Sequence, residues 1–437
     1  MSNSTLPRVI GTSGVAFTGF NCVVGVGIFG LPGIVANVLG PAAIVAYLVC
    51  LVLFGLIALC LAEAGSRVSG AGGLYAYASA AFGPVVGGVA GMLLLFASSV
   101  GSAAAIARFF MDTLAGVWPL VADPMWNFVV LTGLYGSIAF INILGARDGN
   151  WLTITIGLLK FAPLTLLVIF GAFHIVPGNL AWHEMPTTAR IGDATLILFF
   201  AFVGIESAFS VSGETRNPAR TMPRAIALAI AMIALLYIGL QTVTQGVLGA
   251  ALASAPAPLV DLAGAVFGPR GSQALVLLTL VSASGFMAGD MLGSPRVVYA
   301  LAHAGQLPAI LGTEHRRFAT PAVAIGVYTT LVVAIAATGS FRQIAVFAVA
   351  GALVLYMICC VGVLRLRARK IAEGGAPFVA PGGPWVPIAA AAIILWLLST
   401  LALREMLATL AFVVIAGLAY YARDTLRAGS RQAGGPE

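Results

Sequence analysis

The sequence predicts an all-α integral membrane protein with twelve transmembrane helices, the first and sixth of them broken in mid-span. Three observations predict it: a composition unsuited to a water-facing surface, apolar stretches of membrane-crossing length from end to end, and interruptions at matching places in two of those stretches.

Hydrophobic residues make up 60% of the 437-residue chain and charged residues only 8%. A soluble domain carries roughly 25% charged residues, so a water-exposed globule of this size is excluded. The apolar stretches are continuous rather than alternating, which argues against barrel strands. Helices are then the form that satisfies the backbone in lipid. The first apolar segment, from Ser13, is long and broken by glycine, and no small-residue cleavage site follows a short apolar core, so a retained helix is expected rather than a signal peptide. The five cysteines, Cys22, Cys50, Cys60, Cys359 and Cys360, all fall inside apolar segments with neither metal-ligand nor disulfide-framework spacing, and read as packing residues.

Stretches near twenty residues are long enough to cross the bilayer core. Twelve are expected, at about 13–37, 41–63, 84–109, 126–145, 151–176, 194–213, 224–249, 273–301, 321–338, 342–364, 386–403 and 405–421. With the N-terminus placed inside, sixteen of the 22 Lys and Arg residues fall on the cytoplasmic side and four outside; Arg108 and Lys160 lie within spans. This bias follows the positive-inside rule and predicts that both termini are cytoplasmic, in an inner or cell membrane. It also accounts for the net charge of +7 without a nucleic-acid partner. No soluble domain is expected: the whole of 1–437 reads as one membrane domain. Its short cytoplasmic tail, 422–437, is glycine-rich and expected to be disordered. Trp118, Trp126, Trp151, Trp182, Trp385 and Trp396 sit mostly near span ends, as interfacial anchors do.

The breaks supply the functional signal. The first span contains Gly25-Val26-Gly27-Ile28-Phe29-Gly30 and then Leu31-Pro32-Gly33. The sixth reads Phe199-Phe200-Ala201-Phe202-Val203-Gly204-Ile205-Glu206-Ser207, with a glycine and a carboxylate inside an apolar run. Close helix packing explains either one alone. Interruptions at positions one and six are what two inverted five-helix repeats give, and paired breaks point to a transporter's solute site. The helix half after Gly25 offers free N–H groups and a positive dipole end to a carboxylate. The half before it, with the broken sixth span, offers free carbonyls to an ammonium group. A zwitterion fits such a site.

At these residues the sequence resembles the amino acid–polyamine–organocation permease family, of the bacterial amino-acid permease type. Gly25-Val26-Gly27-Ile28-Phe29 is similar to that family's first-helix motif. Ser69 through Tyr77 with Phe82-Gly83-Pro84 resembles its loop between helices two and three. Phe202 through Glu206, then Glu214 through Pro218 and Pro223-Arg224, resembles helix six and its exit. Arg296 through Ala302 with Ala304 through Pro308 resembles the end of helix eight. The resemblance implies a five-plus-five inverted-repeat fold, with repeat one at about 13–176, repeat two at about 194–364, and two further helices at about 386–421. It implies amino acids or related amines as substrates, carried by proton symport or by exchange, with no cofactor. Carried over by position, Val23, Val24, Phe200, Ala201 and Val203 offer carbonyls to the amine, and Val26, Gly27 and Ile28 offer amides to the carboxylate. Phe200 takes the place of an aromatic gate.

Ionisable residues inside spans invite functional readings. Lys160, central in span five, reads as a resident cation or proton-coupling group. In the resembled family a lysine here can take the place of a sodium ion. Glu206 reads as a gate-coupling carboxylate or as a neutral structural carboxyl. Asp290 departs from the pattern, lying near a position where some relatives carry a substrate-stacking aromatic. It can pair with Lys160, select a second amine, or serve as a structural hydrogen-bonding group. Arg108 and Asp112 are spaced as a helix-surface ion pair. Ser102 can donate to substrate or back to its own helix. No His-Glu-x-x-His, nucleophile elbow or phosphate-binding loop is present, which argues against an enzyme or an ATP-driven pump, and no repeated pore loop suggests a channel. The sequence leaves the oligomeric state open.

Overall fold

The computed structural model describes residues 11–25, 27–68, 73–144, 149–182, 184–204, 218–318, 320–373 and 376–433, and every regular element among them is helical. The first expected span is two helices, α1 (Thr12–Val23) and α2 (Gly27–Leu39). A tight turn at Gly40, with φ of +56°, then reverses the chain into α3 (Ala43–Arg67). The segment after α3, where the sequence predicts a loop, contains a short helix, α4 (Leu74–Phe82). The third span is α5 (Pro84–Leu93), a π-helical stretch (Leu94–Gly101) and α6 (Ser102–Val117) in continuous succession. Next come α7 (Pro124–Ile143), capped by the Asp123 carboxylate, and α8 (Gly149–Ala172).

The sixth span begins as α9 (Thr188–Leu198), tightens to a 3₁₀ turn at Phe199–Phe202, and leaves helical geometry at Val203. After it follow α10 (Pro218–Leu248), a short α11 (Pro258–Phe267), α12 (Pro269–His303), α13 (Ala322–Thr338) and α14 (Phe341–Ala368). The last two are α15 (Trp385–Ser399) and α16 (Leu403–Ala433). Here the sequence reading is corrected: α16 stays helical to Ala433, through most of the tail expected to be disordered. Glycine content misled there, because Ala-Arg-Asp-Thr-Leu-Arg-Ala extends the helix with mostly good helix formers before the first glycine of the tail.

Seven helical stretches among the described residues are long and apolar enough to cross a bilayer, and several shorter apolar helices accompany them. Burial identifies what is central. α14 is the most enclosed of the long late helices, packed by α3, α4, α6 and α15. α1 lies against α8 and α10, α2 against α9, and α3 against both α9 and α10. α7 and α16 instead present Phe128, Phe140, Leu410 and Ile415 outward, as lipid-facing helices do. Cys50, Cys60, Cys359 and Cys360 are buried and form no disulfide among the described residues, consistent with packing roles.

Candidate functional site

The two broken helices meet. α1 ends at Val23, where the Val24 amide still bonds the Phe20 carbonyl at 2.8 Å and the Gly25 amide folds back on the Val23 carbonyl at 2.7 Å. α2 restarts at Gly27, so its first-turn amides have no partner within the helix. On the other side, Val203 is extended (φ −67°, ψ 142°) and Gly204 has φ of +120°, a backbone that a side chain disfavours. A Cβ placed on Gly27 would stand 3.3 Å from both the Cα and Cβ of Ala201. The glycine therefore lets one break approach the backbone of the other. Val24 and Ile28 are fully buried here, and Phe200 and Ala201 nearly so. Val26, which the sequence reading assigned to the carboxylate, lies outside the described residues, as does Glu206.

Tyr237 of α10 joins the breaks, and the sequence reading missed it. Its hydroxyl donates to the Ala201 carbonyl at 2.8 Å and stands 3.3 Å from the Val23 carbonyl. Its ring packs edge-on against Phe202 at 5.1 Å. Two of the carbonyls expected to face a substrate amine are thus held by a protein hydroxyl, and Val23 also accepts from Gly25. No sequence signal near Tyr237 marks it, because its role depends on α10 lying behind both breaks.

An aromatic cover lies beside the junction. The Phe200 ring meets Phe341 edge-on at 5.6 Å, and Phe341 packs on Phe109 of α6 at 5.5 Å. A capping box, with Ser340 and Gln343 each bonding the other's backbone amide, fixes the start of α14 where Phe341 projects. The next residue, Arg342, pairs with Asp193 of α9 at 3.3 Å, both side chains substantially exposed. The same two elements that hold Phe200 and Phe341 are therefore also tied by charge.

The membrane charges sort themselves differently from one another. Lys160 is 3% exposed on α8, which packs on α1, α10 and α12, and the neighbouring Phe161 ring meets Phe20 of α1. Asp290 of α12 accepts from Ser294 at 2.6 Å through one oxygen and from Tyr328 of α13 at 2.6 Å through the other. Of the three readings the sequence left open, that geometry matches the structural hydrogen-bonding one. Arg108 and Asp112 pair at 2.8 Å along α6, as their spacing predicts. Ser102 is 7% exposed, and its hydroxyl has no hydrogen-bond partner among the described residues. It follows directly on the π-helical stretch, a local widening that recurs at functional sites.

A second cluster was not singled out from sequence. Glu63, the last residue of the expected second span, is completely buried at the end of α3. Its carboxylate accepts from Arg67 at 2.9 Å, from Arg367 of α14 at 2.5 Å, and from the Ala380 amide at 2.9 Å. The Glu373 amide bonds the Arg67 carbonyl, and the Ser66 hydroxyl reaches Phe378. The linker between α14 and α15 is thus fastened to α3. Arg67 lies four residues after Glu63, so half of this cluster was readable as helix spacing; Arg367 was not.

A multi-pass helical membrane protein in which two interrupted helices meet at a buried point, beneath an aromatic cover, has the architecture of a membrane transporter. The amino acid permease family profile matches residues 10–425, nearly the whole chain, and this protein belongs to that family. An uncharacterized transporter of Mycobacterium bovis is 30% identical over 74% of this chain and 73% of its own. The methylthioribose transporter of Bacillus subtilis is 26% identical over 96% and 94%. The branched-chain amino acid permease BcaP of the same organism is 24% identical over 95% and 93%. The family and these relatives make the chain a transporter rather than an enzyme, and one that serves amino acid transport.

Proposed function

We propose that this protein is a secondary active transporter that carries a small α-amino acid across the cell membrane by alternating access. The single observation that supports the reading most is the meeting of the breaks, with Gly27 against Ala201 and Tyr237 across both. Twelve spans follow when α1 with α2, α5 with α6, and α9 with the turn at Phe199–Phe202 each count as one, and α3, α7, α8, α10 and α12 to α16 count singly. The first ten then form two inverted repeats. Their orientation, with cytoplasmic termini, rests on the Lys and Arg distribution.

In this reading the amides of Val26, Gly27 and Ile28 hold the substrate carboxylate, with the N-terminus of α2 supplying the positive dipole end. The carbonyls of Val24, Phe200 and Val203 take the amine, and those of Val23 and Ala201 join them when Tyr237 withdraws. Phe200 with Phe341 closes over the ligand, and Ser102 donates to it. Asp290 has both oxygens engaged by Ser294 and Tyr328, which favours a substrate without a second amine. The branched-chain permease among the relatives agrees with such a substrate.

Transport is coupled to protons, with Lys160 as the coupling cation in place of sodium and Glu206 as the gate carboxylate. The test is uptake of radiolabelled amino acids into proteoliposomes, with and without an inward proton gradient. Gradient-driven accumulation of a neutral amino acid, lost in Lys160→Ala, is the expected result. Accumulation driven only by amino acid preloaded inside would make the protein an exchanger. Flux that neither saturates nor shows counterflow would make it a channel.

A further inference from the structure

One buried face of α10 carries polar side chains at every fourth position: Tyr237, Gln241 and Gln245, which are 0%, 1% and 4% exposed. Residues four apart on a helix stack on one face, about 6 Å apart along the axis. Tyr237 marks the inner end, on the two breaks. Gln245 marks the other, where its Nε2 donates to the carbonyls of Asn179 and Gly249 in the loops beyond the helices. Between them, both Nε2 and Oε1 of Gln241 are buried and have no hydrogen-bond partner, and neither does Oε1 of Gln245.

α3, which packs on α10, adds to this face. Tyr47 of α3 is fully buried and within electrostatic reach of Tyr237, and its hydroxyl is unpartnered. One turn further along α3, Cys50 donates to the Thr195 carbonyl of α9, and the Thr195 hydroxyl is also buried and unpartnered. A buried threonine in a helix ordinarily bonds the carbonyl a turn before it, as Thr244 does to Leu240. Thr195 does not.

We infer that the Tyr237–Gln241–Gln245 face of α10, walled by Tyr47, is a binding site for a short file of ordered water molecules. The chemistry selects water among small ligands. An anion would leave the Gln241 Oε1 without a donor, and a cation would leave its Nε2 without an acceptor. Water satisfies both, and buried water characteristically serves otherwise unsatisfied buried polar groups. The spacing agrees, because one water making two hydrogen bonds of about 2.8 Å at a near-tetrahedral angle bridges polar atoms about 4.5 Å apart, a separation that long side chains stacked one turn apart can present. The file gives Tyr237 an alternative acceptor, so its hydroxyl can leave Val23 and Ala201 without losing a hydrogen bond. That last consequence rests on the transport reading above; the water site does not.

X-ray hydroxyl-radical footprinting tests it on the full-length protein in nanodiscs, because radicals formed from bound water label the side chains beside it. Tyr135 and Tyr328 are equally buried, and their hydroxyls are engaged by Ala103 and Asp290, so they serve as internal references. Tyr47 and Tyr237 are expected to be modified at least fivefold faster than these references. Gln241→Leu is expected to lower that labelling severalfold and leave Tyr135 unchanged, with Gln245→Leu as the second variant if the first does not fold. Labelling of Tyr47 and Tyr237 no faster than the references in the wild-type protein overturns the inference, whether or not the protein transports. So does labelling that neither substitution alters.

Discussion

The hydroxyl of Tyr237 donates a 2.8 Å hydrogen bond to the carbonyl of Ala201, from a helix that belongs to neither break. With Val23 also in reach, one side chain holds the free ends of two interrupted helices together. Tyr237→Phe keeps the ring contact with Phe202 and removes only this link. A hydrogen bond of this kind contributes about 1 kcal/mol to stability, so unfolding should shift modestly. Turnover in proteoliposomes should fall about tenfold, because the two breaks lose their shared tether. Unchanged turnover with intact folding would remove Tyr237 from the mechanism.

Phe341 stands edge-on to Phe200 and packs at a tilt on Phe109. Such pairs contribute about 0.5–1.5 kcal/mol beyond burial. Phe341→Ala should therefore raise the KM for uptake roughly three- to tenfold, with counterflow preserved. Concentration-dependent uptake reads this directly, and an unaltered KM argues that the rings do not cover the substrate.

Glu63 is enclosed with two arginines and a backbone amide. Removing one partner of a buried ion cluster leaves charge without compensation, typically at a cost of about 3–5 kcal/mol. Arg367 is 18% exposed in its side chain, so the lower end of that range applies. Thermal unfolding of Glu63→Gln in detergent should show a clear loss of Tm, and Glu63→Asp a smaller one. Equal stability of all three would mean that solvent reaches the cluster.

Asp290→Asn keeps an acceptor for Ser294 or Tyr328 and loses the charge. The expected outcome is a stability loss of about 1–2 kcal/mol with the order of preferred amino acids unchanged. A competition-uptake panel checks it: specific loss of preference for lysine, arginine or diamines would place the carboxylate in the substrate site instead.

The fold class was legible because a membrane span announces itself by length and apolar character alone. Both breaks were legible too, with one refinement. The interruption in the first span falls between Val23 and Gly27, and Gly27, Gly30 and Pro32 sit inside the restarted helix α2. Glycine marks the neighbourhood of a break but, as Gly27 against Ala201 illustrates, can be needed for close approach rather than for unwinding. What the sequence could not supply was anything decided by which helices become neighbours. Ser294, four residues from Asp290, could be read as its partner; Tyr328, thirty-eight positions away, could not. Tyr237 looked like any aromatic in an apolar run, and Gln241 and Gln245 like incidental polar residues. Glu63 fell at a span boundary, where a carboxylate is ordinarily solvated and unremarkable.

The fastening of Glu63 to Arg367 also bears on mechanics. α14 is held at one end by a buried, multiply bonded carboxylate and at the other by the solvent-screened pair of Arg342 and Asp193. Exposed pairs of that kind contribute about 0–1 kcal/mol, far less than the buried anchor. A rod fixed so unequally is expected to loosen first at its Arg342 end, beside the Phe341–Phe200 contact, while the Glu63 end stays fastened to α3.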